Sequence, residues 1–157
     1  MIIWVKIIML YTSRLKELRE ERDMSQIELT KLLNIDNSLF AKYEKEYYLI
    51  PTKHLNTLCN YFQISLDYIF GFSNIRKYEN YIENIDLKLS GSRLKKFRKE
   101  INKTQSSLAK ELGCSYGTIA GYESGRYLIA TPFLYQICKD YHVSADYLLG
   151  KIDSFKY

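Results

Sequence analysis

The sequence predicts an all-α protein made of two similar five-helix domains, and three observations carry that prediction. Aligning Arg14 with Arg93 and walking forward without a gap to Gly71 and Gly150 gives roughly 22 identities in 58 positions, at a constant offset of 79 residues. Within each copy the apolar residues recur at the three- and four-residue spacing of a helix, and no alternating strand pattern interrupts them. Cap and turn residues punctuate each copy often, so the helices are short.

The elements follow in order. Residues 1–12 form an apolar N-terminal extension, in which Lys6 is the one charge. About ten apolar residues cannot span a hydrocarbon core that needs roughly 20. With no basic stretch before the segment and no small-residue cleavage site after it, a secretory leader is not expected. Two readings stay open: an added strand or sticky segment docked on a core, or an upstream extension of a chain whose working start is Met9.

The first domain, residues 13–73, predicts helices near Ser13 to Arg22, Ser25 to Leu33, Asn37 to Lys45, Thr52 to Phe62 and Ser65 to Phe70. Ser25 and Glu28 form a capping-box pattern, in which each side chain can satisfy an amide left unpaired at the helix start. Thr52 follows Pro51 at another start.

A linker spans residues 74–91. Its Ile75, Tyr78, Ile82, Ile85 and Leu89 would line one face of a helix, which predicts a helical spacer packed on one of the domains. A dimer-forming coiled coil is the weaker alternative, because two heptads are few. The second domain, residues 92–153, repeats the plan from Ser92, Thr104, Ser115, Thr131 and Ser144. Pro132 stands at a helix start, where its missing N–H costs nothing. Residues 154–157 are a short tail.

The 157 residues carry a formal charge of +5. Ser13 to Ser73 has 8 basic and 9 acidic residues, whereas Ser92 to Tyr157 has 11 and 6. The positive field therefore belongs to the second domain, and a polyanionic partner would meet it there first. Cys59, Cys114 and Cys138 make neither a paired framework nor a CxxC clip. Cys59 and Cys138 hold equivalent places in the repeat and are read as small core residues. His54 and His142 stand alone, so no metal and no cofactor is expected. There is no phosphate-cradling glycine loop and no nucleophile elbow either, and an enzyme is not expected.

The second copy contains Thr104-Gln105, Leu108-Ala109, Leu112-Gly113-Cys114-Ser115, Thr118-Ile119, Tyr122-Glu123, Gly125 and the terminal Val143-Ser144-Ala145-Asp146-Tyr147-Leu148-Leu149-Gly150. The first copy keeps Ser25-Gln26, Leu29, Leu33, Ala41, Tyr43-Glu44 and Ser65-Leu66-Asp67-Tyr68-Ile69-Phe70-Gly71. In these residues the chain resembles the phage-repressor and Cro-like helix-turn-helix regulators of the XRE type, in both copies and over about three quarters of its length. The first copy departs at two turn positions. Asn34, which tolerates a left-handed turn, and Glu46, which does so less readily, replace the glycines.

The resemblance implies two lambda-repressor-like domains whose third helix enters the DNA major groove with its N-terminal residues facing base edges. The base readers it implies are Asn37, Ser38 and Lys42 in the first copy, and Tyr116, Gly117 and Gly121 in the second. Asn can pair with adenine and Lys can donate to guanine, whereas a tyrosine and two glycines offer packing and close approach more than hydrogen bonds. It places Gln26 and Gln105 at the start of the second helix, where they support the third helix and meet phosphate, and Ser115, Arg93, Lys95, Arg126 and Tyr127 are further candidate phosphate contacts. It also implies that Arg19 with Glu44, and Arg98 with Glu123, are internal ion pairs serving stability. The 15 tyrosines reflect a composition rich also in Lys, Ile and Asn, and Tyr68 and Tyr147 are expected to pack rather than bind.

The expected function is sequence-specific binding of double-stranded DNA by a cytoplasmic transcriptional regulator, a repressor by expectation, that covers adjacent half-sites with two fused domains. The rival is an adaptor or antitoxin-like module whose main partner is another protein. A homodimer is compatible with either, and no membrane partner is expected.

Overall fold

The computed structural model describes residues 2–157, with side chains described from Tyr11 onward. The apolar side chains of residues 1–10 therefore lie outside the described residues. The chain divides into two units, Met1–Lys77 and Tyr78–Tyr157. The first contains α1 (Ile2–Glu21), α2 (Gln26–Leu33), α3 (Asn37–Glu44), α4 (Thr52–Phe62) and α5 (Leu66–Phe70). The second contains α6 (Leu87–Glu100), α7 (Gln105–Leu112), α8 (Tyr116–Glu123), α9 (Thr131–Tyr141) and α10 (Ala145–Leu148). Among the described residues there is no strand.

The repeat in sequence is a repeat in backbone. Helices α2 to α4 return as α7 to α9 with both ends displaced by the same 79 residues. The left-handed residues that end and link the helices match as well: Asp23 with Asn102, Asn34 with Gly113, Glu46 with Gly125, Gln63 with His142, and Gly71 with Gly150. Glu46 takes φ 63° where Gly125 takes 71°, so the turn after α3 survives the loss of its glycine at some conformational cost. The starts are capped from side chains. Asp36, Ser65, Thr104, Ser115 and Ser144 each accept from the amide three residues on, while the Ser25 N–H donates to Glu28.

Each unit closes around one core. Leu29, Leu33, Phe40, Leu55, Cys59 and Ile69 are buried in the first, and their counterparts Leu108, Leu112, Ile119, Leu134, Cys138 and Leu148 in the second. Both equivalent cysteines are fully buried, which suits small core residues.

Two boundaries differ from the sequence reading. Helix α1 runs from Ile2, not from Ser13, because no Pro or Gly interrupts residues 2–21; the strand reading of the extension is therefore replaced by a helical backbone. Helix α6 starts at Leu87, five residues before Ser92, because Asp86 accepts from the Lys88 and Leu89 amides at 2.8 and 3.1 Å. Gly91 sits inside α6 without breaking it. A Cβ there would lie 2.4 Å from the Tyr122 carbonyl oxygen, so the glycine lets α6 approach the end of α8.

The linker is not a helix over residues 74–86. Its backbone is committed to tertiary bonds instead: in the first unit Ser65 Oγ donates to the Ile75 carbonyl at 3.1 Å, and in the second the Ile82 N–H donates to the Lys151 carbonyl at 2.9 Å. Asn80 in a left-handed conformation breaks any helix between them. The apolar series gains no buried face, since Ile75, Ile82 and Leu89 stay exposed. The tail 154–157 folds back on the second unit, where the Ser144 N–H donates to the Phe155 carbonyl at 2.9 Å and the Phe155 ring packs 5.3 Å from that of Tyr147.

Candidate nucleic-acid interface

In each unit a helix, a left-handed turn and a second helix present one exposed helical end. The turn is Asn34 before α3 and Gly113 before α8. What holds the second helix is a three-residue clamp at its far end. Glu44, the last residue of α3, receives Arg19 Nε and Nη2 at 2.7 and 3.2 Å, and the Gln26 amide also donates to it. Glu123, the last residue of α8, receives Arg98 Nε and Nη2 at 2.5 and 3.0 Å and Gln105 Nε2 at 2.7 Å. The arginines also donate to the Met24 and Lys103 carbonyls, each at 2.7 Å. Paired hydrogen bonds of this kind fix a direction as well as a distance. Each clamp thus ties the C-terminal end of α3 or α8 to two neighbouring helices and leaves the N-terminal half facing solvent.

The exposed ends carry most of the residues expected to read bases. Asn37, Ser38 and Lys42 are exposed on α3, and Tyr116 and Gly117 on α8. Asn37 Oδ1 accepts from the Thr30 hydroxyl at 3.3 Å. Lys42 Nζ lies 5.3 Å from the centre of the Tyr48 ring. Tyr116 is 58% exposed.

Gly121 is placed differently. It is buried, and a Cβ on it would lie 2.6 Å from Cδ2 of Tyr127. The missing side chain lets the Tyr127 ring seat against α8. Tyr127 itself is 57% exposed beside α8.

The expected phosphate contacts divide likewise. Lys95, Ser115 and Arg126 are exposed. Gln26 and Gln105 are half-buried and direct their amide nitrogens inward to the clamp, so they buttress α3 and α8, the supporting part of the role expected of them. Arg93 is withdrawn from solvent. Its guanidinium donates to the Tyr147 carbonyl at 2.7 Å and to the Ile152 carbonyl, pairs with Asp153 at 2.8 Å, and stacks 4.4 Å from the Tyr147 ring centre. Arg14 in the first unit donates to the Tyr68 carbonyl in the same way. These arginines staple the first helix to the last, and a phosphate would have to break that staple.

Sequence reasoning missed two residues that the offset points to. Tyr48 is the counterpart of Tyr127, and Asp36, the α3 cap, is the counterpart of Ser115. Hydrogen bonds from the Ser38 hydroxyl and the Leu39 N–H hold the Asp36 carboxyl below its ordinary pKa. Burial pushes the Cys114 thiol up, which disfavours a reactive thiolate in the turn before α8. No group of three or more His, Cys, Asp or Glu among the described residues is arranged to hold a metal ion. No helix of the described residues is long and apolar enough to cross a membrane.

Comparison with known proteins agrees with this geometry. A helix-turn-helix domain family matches residues 12–71, and a second family, described as helix-turn-helix, matches residues 94–148. The HTH-type transcriptional regulator ImmR of Bacillus subtilis (strain 168) is 36% identical over 64 residues, 41% of this chain. The match spans half of that relative's length. No solved structure matches the chain.

Proposed function

We propose that this chain, whose two halves each match a helix-turn-helix family, is a transcriptional repressor of the XRE type that binds double-stranded DNA with α3 and α8 on adjacent half-sites. The observation that carries this reading is the matched pair of clamped helices with exposed N-terminal halves. A single chain would do what a dimer of one-domain proteins does, with half-sites about one helical turn apart. The second domain binds at an effective concentration set by the linker, so two weak contacts become one tight one.

The two surfaces are not alike, and the preferred site should be asymmetric. Asn37, Ser38 and Lys42 can hydrogen-bond base edges, while Tyr116 and Gly117 favour apolar contact with thymine methyls and shape. Lys95, Arg126, Tyr127 and Ser115 supply phosphate contact in the second domain. Selection from a randomised duplex library at two salt concentrations tests the proposal. An asymmetric motif of about two turns, bound less tightly as salt rises, supports it; a palindrome would mean that chains pair and that one domain per chain reads DNA.

One observation favours a protein partner for the first domain. Ile27, Leu32, Tyr47 and Tyr61 are exposed where the second domain has Ser106, Glu111, Arg126 and Asp140. Absence of any enriched duplex would move the function to a protein partner that meets these apolar side chains.

A further inference from the structure

We propose that Asp36 is a specificity-determining residue of the first domain, which turns phosphate away from the start of α3 and selects a base pair presenting a cytosine amino group. The inference rests on the reading of α3 as a DNA-binding helix. Asp36 and Ser115 do the same structural work: Asp36 accepts from the Leu39 N–H at 2.8 Å, and Ser115 from the Thr118 N–H at 3.1 Å. They differ by a full negative charge at an exposed helix start. A neutral hydroxyl leaves the positive end of the helix open to a phosphate, whereas a carboxylate already neutralises it and repels a second anion.

The charge also polarises its neighbour. The Ser38 hydroxyl donates to Asp36 Oδ1 at 2.7 Å, so its single proton is committed and only lone pairs remain for a base. Ser115 and Thr118 share one hydrogen bond at 2.9 Å in which either can donate, so that end of α8 keeps both roles. Asp36 with Ser38 is therefore an acceptor-only surface. In the major groove it favours the N4 amino group of cytosine; the O6 and N7 acceptors of guanine and the O4 of thymine repel it, and adenine sets its N7 acceptor beside its amino group. Lys42, on the same helix, keeps the opposite preference.

The test is parallel selection from a randomised duplex library with the full chain, its Asp36→Ser variant and its Asp36→Asn variant. Asp and Ser are near-equal caps, so Asp36→Ser should keep the thermal melting of the parent, and circular dichroism checks that it does. The parent should enrich cytosine at one position in the first half-site. The serine variant should lose that preference, and the roughly tenfold discrimination against a C·G to T·A change should collapse. It should also bind more tightly at low salt, with a steeper salt dependence. The asparagine variant, uncharged and able to donate, should shift the position toward adenine. An unchanged motif from parent and serine variant overturns this proposal alone; no enriched motif from any of the proteins overturns the DNA reading and this proposal with it.

Discussion

Tyr127 lies against Gly121 so closely that a Cβ on the glycine would stand 2.6 Å from Cδ2 and 3.0 Å from Cε2 of the ring. The glycine in the middle of α8 is thus explained by the tyrosine beside it. Gly121→Ala should improve the intrinsic helix propensity by about 0.5–1 kcal/mol while displacing a ring that is free to swing into solvent. DNA affinity should therefore fall, by roughly threefold to tenfold for a lost backbone contact, with little change in melting temperature. A large drop in melting temperature at unchanged affinity would show that the contact serves the fold alone.

The clamps predict stability. The side chains of Arg98 and Glu123 are 10% and 3% exposed, and removal of one partner leaves the other charge buried. Arg98→Met should cost the second domain about 3–5 kcal/mol, read by chemical denaturation. Replacing both partners with apolar residues of similar size should cost less than the single change, because no orphaned charge remains.

Arg93 and Arg126 should separate cleanly. Arg93→Ala removes the staple to the Tyr147 and Ile152 carbonyls, so melting temperature should fall while the slope of log affinity against log salt stays unchanged. Arg126→Ala, at an exposed position, should leave melting alone and reduce that slope by about 1. Equal effects on both readouts would contradict this assignment.

The caps predict an acid limb. The Asp36 carboxyl is held below its ordinary value of 3.8 by the Ser38 hydroxyl and the Leu39 N–H, and Glu28 below 4.5 by the Ser25 N–H and hydroxyl. A lowered folded-state pKa contributes stability that is present above the unfolded value and is lost as pH falls through the folded one. Denaturation midpoints of the parent should decline below about pH 4, and the double variant Asp36→Asn, Glu28→Gln should decline less steeply over the same interval.

The repeat explains why so much was legible in advance. Identical backbone punctuation at matched positions needs only local chemistry: a side-chain oxygen three residues before an amide, and a residue able to take positive φ. The helix starts at Asn37, Gln105 and Tyr116 follow from a side-chain cap, and that at Gln26 from the Ser25–Glu28 box; those at Thr52 and Thr131 have no side-chain cap and are marked by a proline beside them. The start of α6 did not, because Asp86 and Ser92 both have cap chemistry and the choice depends on Gly91 meeting α8. The linker misled through its apolar spacing, which makes a helix only when a surface covers its face.

By itself the sequence determined the two-domain all-α architecture, the helix-turn-helix order and the buried apolar positions, since periodicity and capping act within a few residues along the chain. Tertiary structure decided which polar residues face outward. Arg93, Gln26 and Gln105 have the chemistry of phosphate contacts and Gly121 that of an open backbone, yet each is held inward by a partner 6 to 59 positions away in the chain. A side chain's type sets what it can bond, and only the packing of distant segments sets what it does bond.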